Sequence, residues 1–238
     1  MTRLGSALRL ELTLQSRQGF VYAAVFSGLI WLSVLLPMPH GLRTAAEPYM
    51  LLGDTCIIGF FFVAGTVFFE KQERTLSAVI STPLRFWEYL SAKLIPPVII
   101  SVLVAIVVPA ISYGFNYRWL PLVLATVLGT LLMLLVGFTS SLRFASVSDW
   151  FLVATIPLAV MTVPPVLYYS GVWPSPAAYL IPTTGPLLLF GAAFDQLDLA
   201  AWQLAYAVAY PVMCIAGLWA VAKATFVRHI VIYSRDVR

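Results

Sequence analysis

The side chains able to do chemistry are few in this 238-residue chain, and their spacing excludes most catalytic designs. His40 and His229 are the only histidines. Neither belongs to an H-E-x-x-H pair that could hold zinc on one helix face. No G-x-S-x-G places a serine nucleophile on a sharp turn, and no G-x-x-x-x-G-K-[ST] loop is present to cradle nucleotide phosphates. Cys56 and Cys214 both fall in apolar stretches and read as buried inert thiols rather than as a disulfide or zinc framework. Asp54 is the one carboxylate expected inside an apolar span, where it is expensive to place and functional by default. The spacing predicts that it lies about one and a half turns into its helix, shallow enough to reach the outer interface or to meet Arg43 or Arg118. Its structural role competes with a contact to an outer gate or substrate.

The richest segment is EKQERTLSAVISTPLRFWEYLSAK, residues 70–93. Leu76, Val79, Ile80 and Leu84 recur at helical spacing, opposite Glu70, Lys71, Glu73, Arg74 and Ser77, which predicts a short amphipathic helix. Pro83, after Thr82, should end it. Phe86, Trp87 and Tyr89 then sit where amphipathic rings favour the headgroup level. Such a helix either lies in the headgroups or is presented to a partner, its charged first turn setting register.

The elements that must carry these residues follow from composition. Apolar residues make up 61% of the chain and charged ones 10%, with a mean hydropathy of +0.93. That is far from a soluble domain, and lipid must be the missing solvent. Charge-free stretches Gln18–Leu42, Leu94–Tyr117, Trp119–Leu142, Trp150–Phe194 and Leu199–Ala222 each reach the roughly 20 residues that cross hydrocarbon. Tyr49–Phe69, broken only by Asp54, is a sixth. The expected fold is an all-α integral membrane protein with six transmembrane helices near 20–38, 49–69, 94–115, 121–142, 150–169 and 200–222. It forms a single transmembrane unit over 1–238, with a cytoplasmic tail at 223–238.

Lysine and arginine fix the expected orientation. With both termini inside, twelve of the fourteen basic residues are cytoplasmic, and only Arg43 and Arg118 lie outside. The net charge of +4 is then a topology signal, and no nucleic-acid partner is implied. The 45 apolar residues between Asp149 and Asp195 count as one crossing, because a seventh span would expel the basic tail. Pro174, Pro176, Pro182 and Pro186 break the second half of that stretch, so an outer re-entrant hairpin is expected at 170–199. The first 19 residues hold three arginines and a glutamate, which does not read as a cleavable signal.

The run E-x-x-x-x-T-L-x-x-x-x-x-T-P-L-x-x-x-E-x-x-x-x-K, carried by Glu70, Thr75, Leu76, Thr82, Pro83, Leu84, Glu88 and Lys93, resembles the coupling-helix region of type-2 ABC transporter permeases. The chain departs from that pattern at Arg74, where glycine is usual, and at Ser77, where glutamate is usual. Residues 9–22, with Arg9, Glu11 and Arg17, resemble the amphipathic connecting helix before the first span. Leu180 to Thr183 followed by Pro186 resembles the outer hairpin. The resemblance implies a permease subunit of an exporter in the bacterial cytoplasmic membrane, in the manner of small drug- or antibiotic-export permeases. It would move a hydrophobic or amphipathic molecule outward as one of two permeases, identical or related, above two separate ATPase subunits. ATP and Mg would then be held by the ATPase, and no cofactor or metal by this chain. Contacts to the ATPase would run through Glu70, Glu73, Arg74, Thr75, Leu76, Thr82, Pro83, Leu84 and Glu88. The path would be lined by spans two and five, with Asp54, Phe61, Phe62, Phe68, Thr155 and Thr162 as candidates. The competing function is an ATP-independent secondary transporter or membrane assembly factor.

Overall fold

A computed structural model describes residues 3–73 and 85–228. Arg74, Thr75, Leu76, Thr82, Pro83 and Leu84 of the expected coupling helix, and the end of the tail from His229, lie outside the described residues. All the described regular structure is helical. In chain order it comprises α1 (Arg3–Arg17), α2 (Phe20–Leu35), α3 (His40–Gln72), α4 (Phe86–Ser112), α5 (Trp119–Ser141), α6 (Val147–Tyr169), a 3-10 turn (Pro176–Leu180), α7 (Thr184–Ala193) and α8 (Ala201–Phe226).

Five helices, α3, α4, α5, α6 and α8, are long and apolar enough to cross a bilayer. The pair α1 and α2 makes a sixth if it is taken as one bent span, with a 59° break. Gly19 forms the break at φ 84°, a left-handed conformation open to glycine. α2 alone has 16 residues, about 24 Å, which falls short of the ~30 Å hydrocarbon core.

Two helices are longer than the charge pattern suggests. α3 begins at His40, nine residues before the expected start, and runs 33 residues, about 50 Å. Its extra turns hold because Glu47 and Pro48 are buried against neighbours, and proline is tolerated in a spanning helix where packing satisfies the freed backbone. α4 begins at Phe86 instead of Leu94. Its first turn is capped by the Glu88 carboxylate, which accepts the Arg85 amide at 2.8 Å. α6 starts at Val147 with the Ser146 hydroxyl accepting the Asp149 amide at 3.2 Å.

Between α6 and α8 the chain makes the 3-10 turn and then α7, whose ten residues are all buried. At about 15 Å, α7 is too short to cross. Pro176 and Pro186 sit at the starts of these two elements, where a missing N–H costs nothing.

The core is built on α3 against α5. Phe60, Val63, Val67, Met133, Leu134 and Phe138 are all but inaccessible. A Cβ on Gly137 would meet the Phe60 carbonyl oxygen at 2.3 Å, so only glycine permits this backbone approach. α7 packs on α5, α3 and α8. α6 is the opposite case: Trp150, Ala154 and Pro165 are its only buried residues.

Candidate functional site

A buried charged cluster ties the middle of α1 to the C-terminal turn of α3 and the N-terminal part of α4, on both flanks of the 74–84 segment. The Lys93 ammonium lies 2.6 Å from Glu70 Oε1 and 3.2 Å from Glu11 Oε1. The Tyr89 hydroxyl donates to Glu70 Oε2 at 2.8 Å, and Gln15 Nε2 donates to Glu11 Oε1 at 3.2 Å. Lys93 also sits 5.1 Å above the Tyr89 ring. Lys93 is 1% exposed, so its charge is tolerated only through these partners. Helical spacing explains the set: Glu11 and Gln15 are one turn apart on α1, and Tyr89 and Lys93 one turn apart on α4.

The neighbouring residue on α3 fixes a fourth helix. Lys71 Nζ donates to the carbonyls of Ser141, Leu142 and Phe144 at 2.8, 3.0 and 2.7 Å. These carbonyls lie at and just past the C-terminal end of α5, where a cation also meets the negative end of the helix dipole. Glu73 is exposed and closes α3, its amide bonded to the Phe69 carbonyl at 2.9 Å. Glu70 and Lys71 therefore lock the frame from which Glu73 projects.

At the opposite end Arg43 plays the matching part. Its guanidinium donates to the Leu35, Leu36 and Met38 carbonyls at 3.0, 2.6 and 3.0 Å and to the Ser112 carbonyl at 2.8 Å. It thereby caps α2 and α4 together. Ser112 Oγ donates to Glu47 Oε1. Arg118 pairs with Asp195 at 2.7 Å, in the open.

Asp54 therefore meets neither Arg43 nor Arg118, contrary to the expectation from sequence. Its Oδ1 accepts from Ser27 Oγ at 2.5 Å and from Trp31 Nε1 at 2.8 Å, both on α2. The early start of α3 explains the difference. Asp54 lies eleven residues beyond Arg43, about 16 Å further along the helix, and so out of reach of the Arg43 guanidinium. There it is 3% exposed, and two neutral donors satisfy it.

The path candidates divide. Phe61 and Phe68 join Trp150 of α6 at ring separations of 5.8 and 5.5 Å, with Phe60 stacked on the same indole at 5.3 Å. Phe62 instead packs on Phe20 of α2 at 5.0 Å. The Thr155 and Thr162 hydroxyls bond back to Leu152 and Leu158 carbonyls at 2.5 and 2.7 Å, so their single donors are used within the helix and only acceptor lone pairs are left for a ligand. Sequence reasoning missed Gln15, Tyr89 and Lys71 as contributors. The one-turn spacings Glu11/Gln15 and Tyr89/Lys93 were the available signal, but nothing local joins them across 82 residues. Among the described residues no group of three His, Cys, Asp or Glu side chains is placed to hold a metal.

Comparison with known proteins identifies the family of the chain. Residues 2–234 match the family described as fluoroquinolones export permease protein. Two proteins of Mycobacterium tuberculosis, the fluoroquinolones export permease proteins of strains CDC 1551 / Oshkosh and ATCC 25618 / H37Rv, are each 69% identical over 231 residues, covering 97% of this chain and 98% of theirs. With near-complete coverage on both sides, the chain belongs to the fluoroquinolones export permease family.

Proposed function

We propose that the chain is the membrane subunit of an ABC exporter that moves fluoroquinolone-like amphipathic molecules outward across the bacterial cytoplasmic membrane. Six spans would place both termini inside, with 170–199 as an outer re-entrant hairpin. A second permease, identical or related, completes the path, and two ATPase subunits bind at residues 70–93. The observation that carries this reading is the Glu11, Glu70 and Lys93 cluster. It binds the connecting helix and both flanks of the coupling loop into one unit, so a force applied to the loop reaches α1, α3 and α4 together. An ATPase biases such a unit only through contacts that differ between its open and closed states; exposed Glu73, beside Arg74 to Leu84, is where those contacts belong. The path is assigned to α3 and α6 around Phe61 and Phe68, whose aromatic faces suit a planar amphipathic cargo.

The test is co-purification from the native membrane in mild detergent, followed by drug-stimulated ATP hydrolysis. A Walker-motif ATPase should be recovered with the unaltered chain. Glu73→Lys should reduce its recovery, or uncouple hydrolysis from transport, without lowering the amount of chain inserted. Recovery of the chain alone, where a control transporter stays intact, would discard the ABC assignment.

A further inference from the structure

A groove of about 350 Å³ runs between α2 and α4 on the outside of the bundle, and every residue lining it is apolar. Val21, Gly28 and Leu32 form one wall and Val104, Val108 and Ile111 the other. From Val21 to Leu32 it extends about 16 Å, close to one leaflet's share of a ~30 Å core. A drug-like ligand site carries a few convergent polar groups; this groove has none, and its shape and chemistry are those of a single acyl chain.

The end of the groove nearest α1 supplies the rest of the ligand. Arg17, exposed, ends α1 four residues before Val21. α1 turns its polar residues Glu11 and Gln15 inward to the buried cluster, while Leu10 and Leu12 are 61% and 48% exposed. Arg9 and Arg17 are exposed on the same helix. Leucines and arginines facing outward together are the composition of a helix lying among lipid headgroups. A basic residue there attracts an anionic lipid, and guanidinium matches phosphate geometry.

We propose that this groove is a binding site for an anionic phospholipid of the cytoplasmic leaflet, with one acyl chain along α2 and α4 and the phosphate on Arg17. It borrows from the reading above only the orientation with α1 inside. Gly28 keeps the groove open: a Cβ there would lie 3.7 Å from Val108 and 4.0 Å from Val104, so a methyl fits and a larger side chain fills the space. Bound lipid would bridge α1 and the α2/α4 pair, where the only covalent link is the Gly19 bend.

The experiment is electron paramagnetic resonance on the full chain in nanodiscs doped with spin-labelled phosphatidylglycerol or phosphatidylcholine, reading the motionally restricted fraction. The unaltered chain should favour phosphatidylglycerol about fivefold, the effect of one arginine near an anionic surface. Arg17→Gln should bring the ratio close to one while leaving the restricted population. Gly28→Leu, or Leu29→Trp at the exposed rim, should shrink that population for both lipids. Equal retention by the unaltered chain, a preference surviving Arg17→Gln, or a population untouched by both groove variants overturns the proposal. Loss of self-association in the groove variants with lipid unchanged would assign the groove to a second copy. Thiol labelling of Ser16→Cys and Asp198→Cys from each side reads the orientation separately, so its failure is distinguishable from failure of the lipid site.

Discussion

Lys93 is held by two carboxylates, a phenol ring and almost no water, so its removal is more damaging than its presence is stabilising. Lys93→Met leaves the Glu11 and Glu70 carboxylates buried close together without the ammonium that both share. Breaking a buried pair from one side costs about 3–5 kcal/mol. The expected outcome is a strong drop in thermal stability in detergent, read by the unfolding midpoint. Adding Glu11→Gln and Glu70→Gln to Lys93→Met should return most of it, since neutral amides no longer repel. A triple variant as unstable as the single one would mean that the cluster acts through packing instead of charge. Glu70 and Lys93 were legible in the sequence as members of one motif, because both flank the patterned 70–93 segment. Their pairing with Glu11 was not, because a buried ion pair across 82 residues is a property of the packed helices. Asp54 is the reverse case. Its intramembrane position was plain from the apolar run around it, but its depth depended on where α3 begins, and that is set by tertiary contacts of Arg43 and Glu47.

At the scale of elements, α3 and α5 form the axis on which the other helices are mounted. Gly137 against the Phe60 carbonyl sets their separation. Gly137→Leu should therefore force the helices apart and destabilise the chain by at least the 1–3 kcal/mol typical of overpacking. The midpoint of unfolding should fall, and little folded chain should be recovered from membranes. Gly28→Leu on the open α2/α4 groove is the contrasting substitution and should leave the midpoint nearly unchanged. Equal midpoints for the two variants would remove α3/α5 from that central place. The existence of most spans could be read from the spacing of charges, since lipid forbids charge at regular intervals. Their ends could not. α3 and α4 gain eight or nine residues beyond the charge-free stretches through caps and burial at Glu47 and Glu88. Those are decided by neighbours, not by local hydropathy. α7 was visible only as a proline-broken apolar tail, because a buried ten-residue helix and an interfacial loop have the same composition.

In the whole molecule α6 presents a broad exposed apolar face. Phe151, Leu152, Ile156 and Val160 are 50–76% exposed, and Pro157, Pro164 and Pro165 lie inside the same continuous helix. Backbone groups freed by proline within hydrocarbon need packing or a partner to satisfy them. The proposed assembly supplies one: a second permease facing α6 would enclose the aromatic cluster of Phe61, Phe68 and Trp150 between two subunits. In an isologous pair a residue close to the twofold axis meets its own copy. A disulfide forms only when two Cα atoms come within about 7 Å. With Cys56 and Cys214 replaced by alanine, Ile156→Cys should then form an oxidant-dependent cross-link in native membranes, whereas Val107→Cys on the outward face of α4 should not. A product of twice the chain's mass indicates an identical partner; its absence, with a cross-link restored when a cysteine is also introduced into a co-purified second permease, indicates a related one. Cross-linking by Val107→Cys alone would place the partner on the α2/α4 face and leave α6 to lipid, which would move the path away from Phe61 and Phe68.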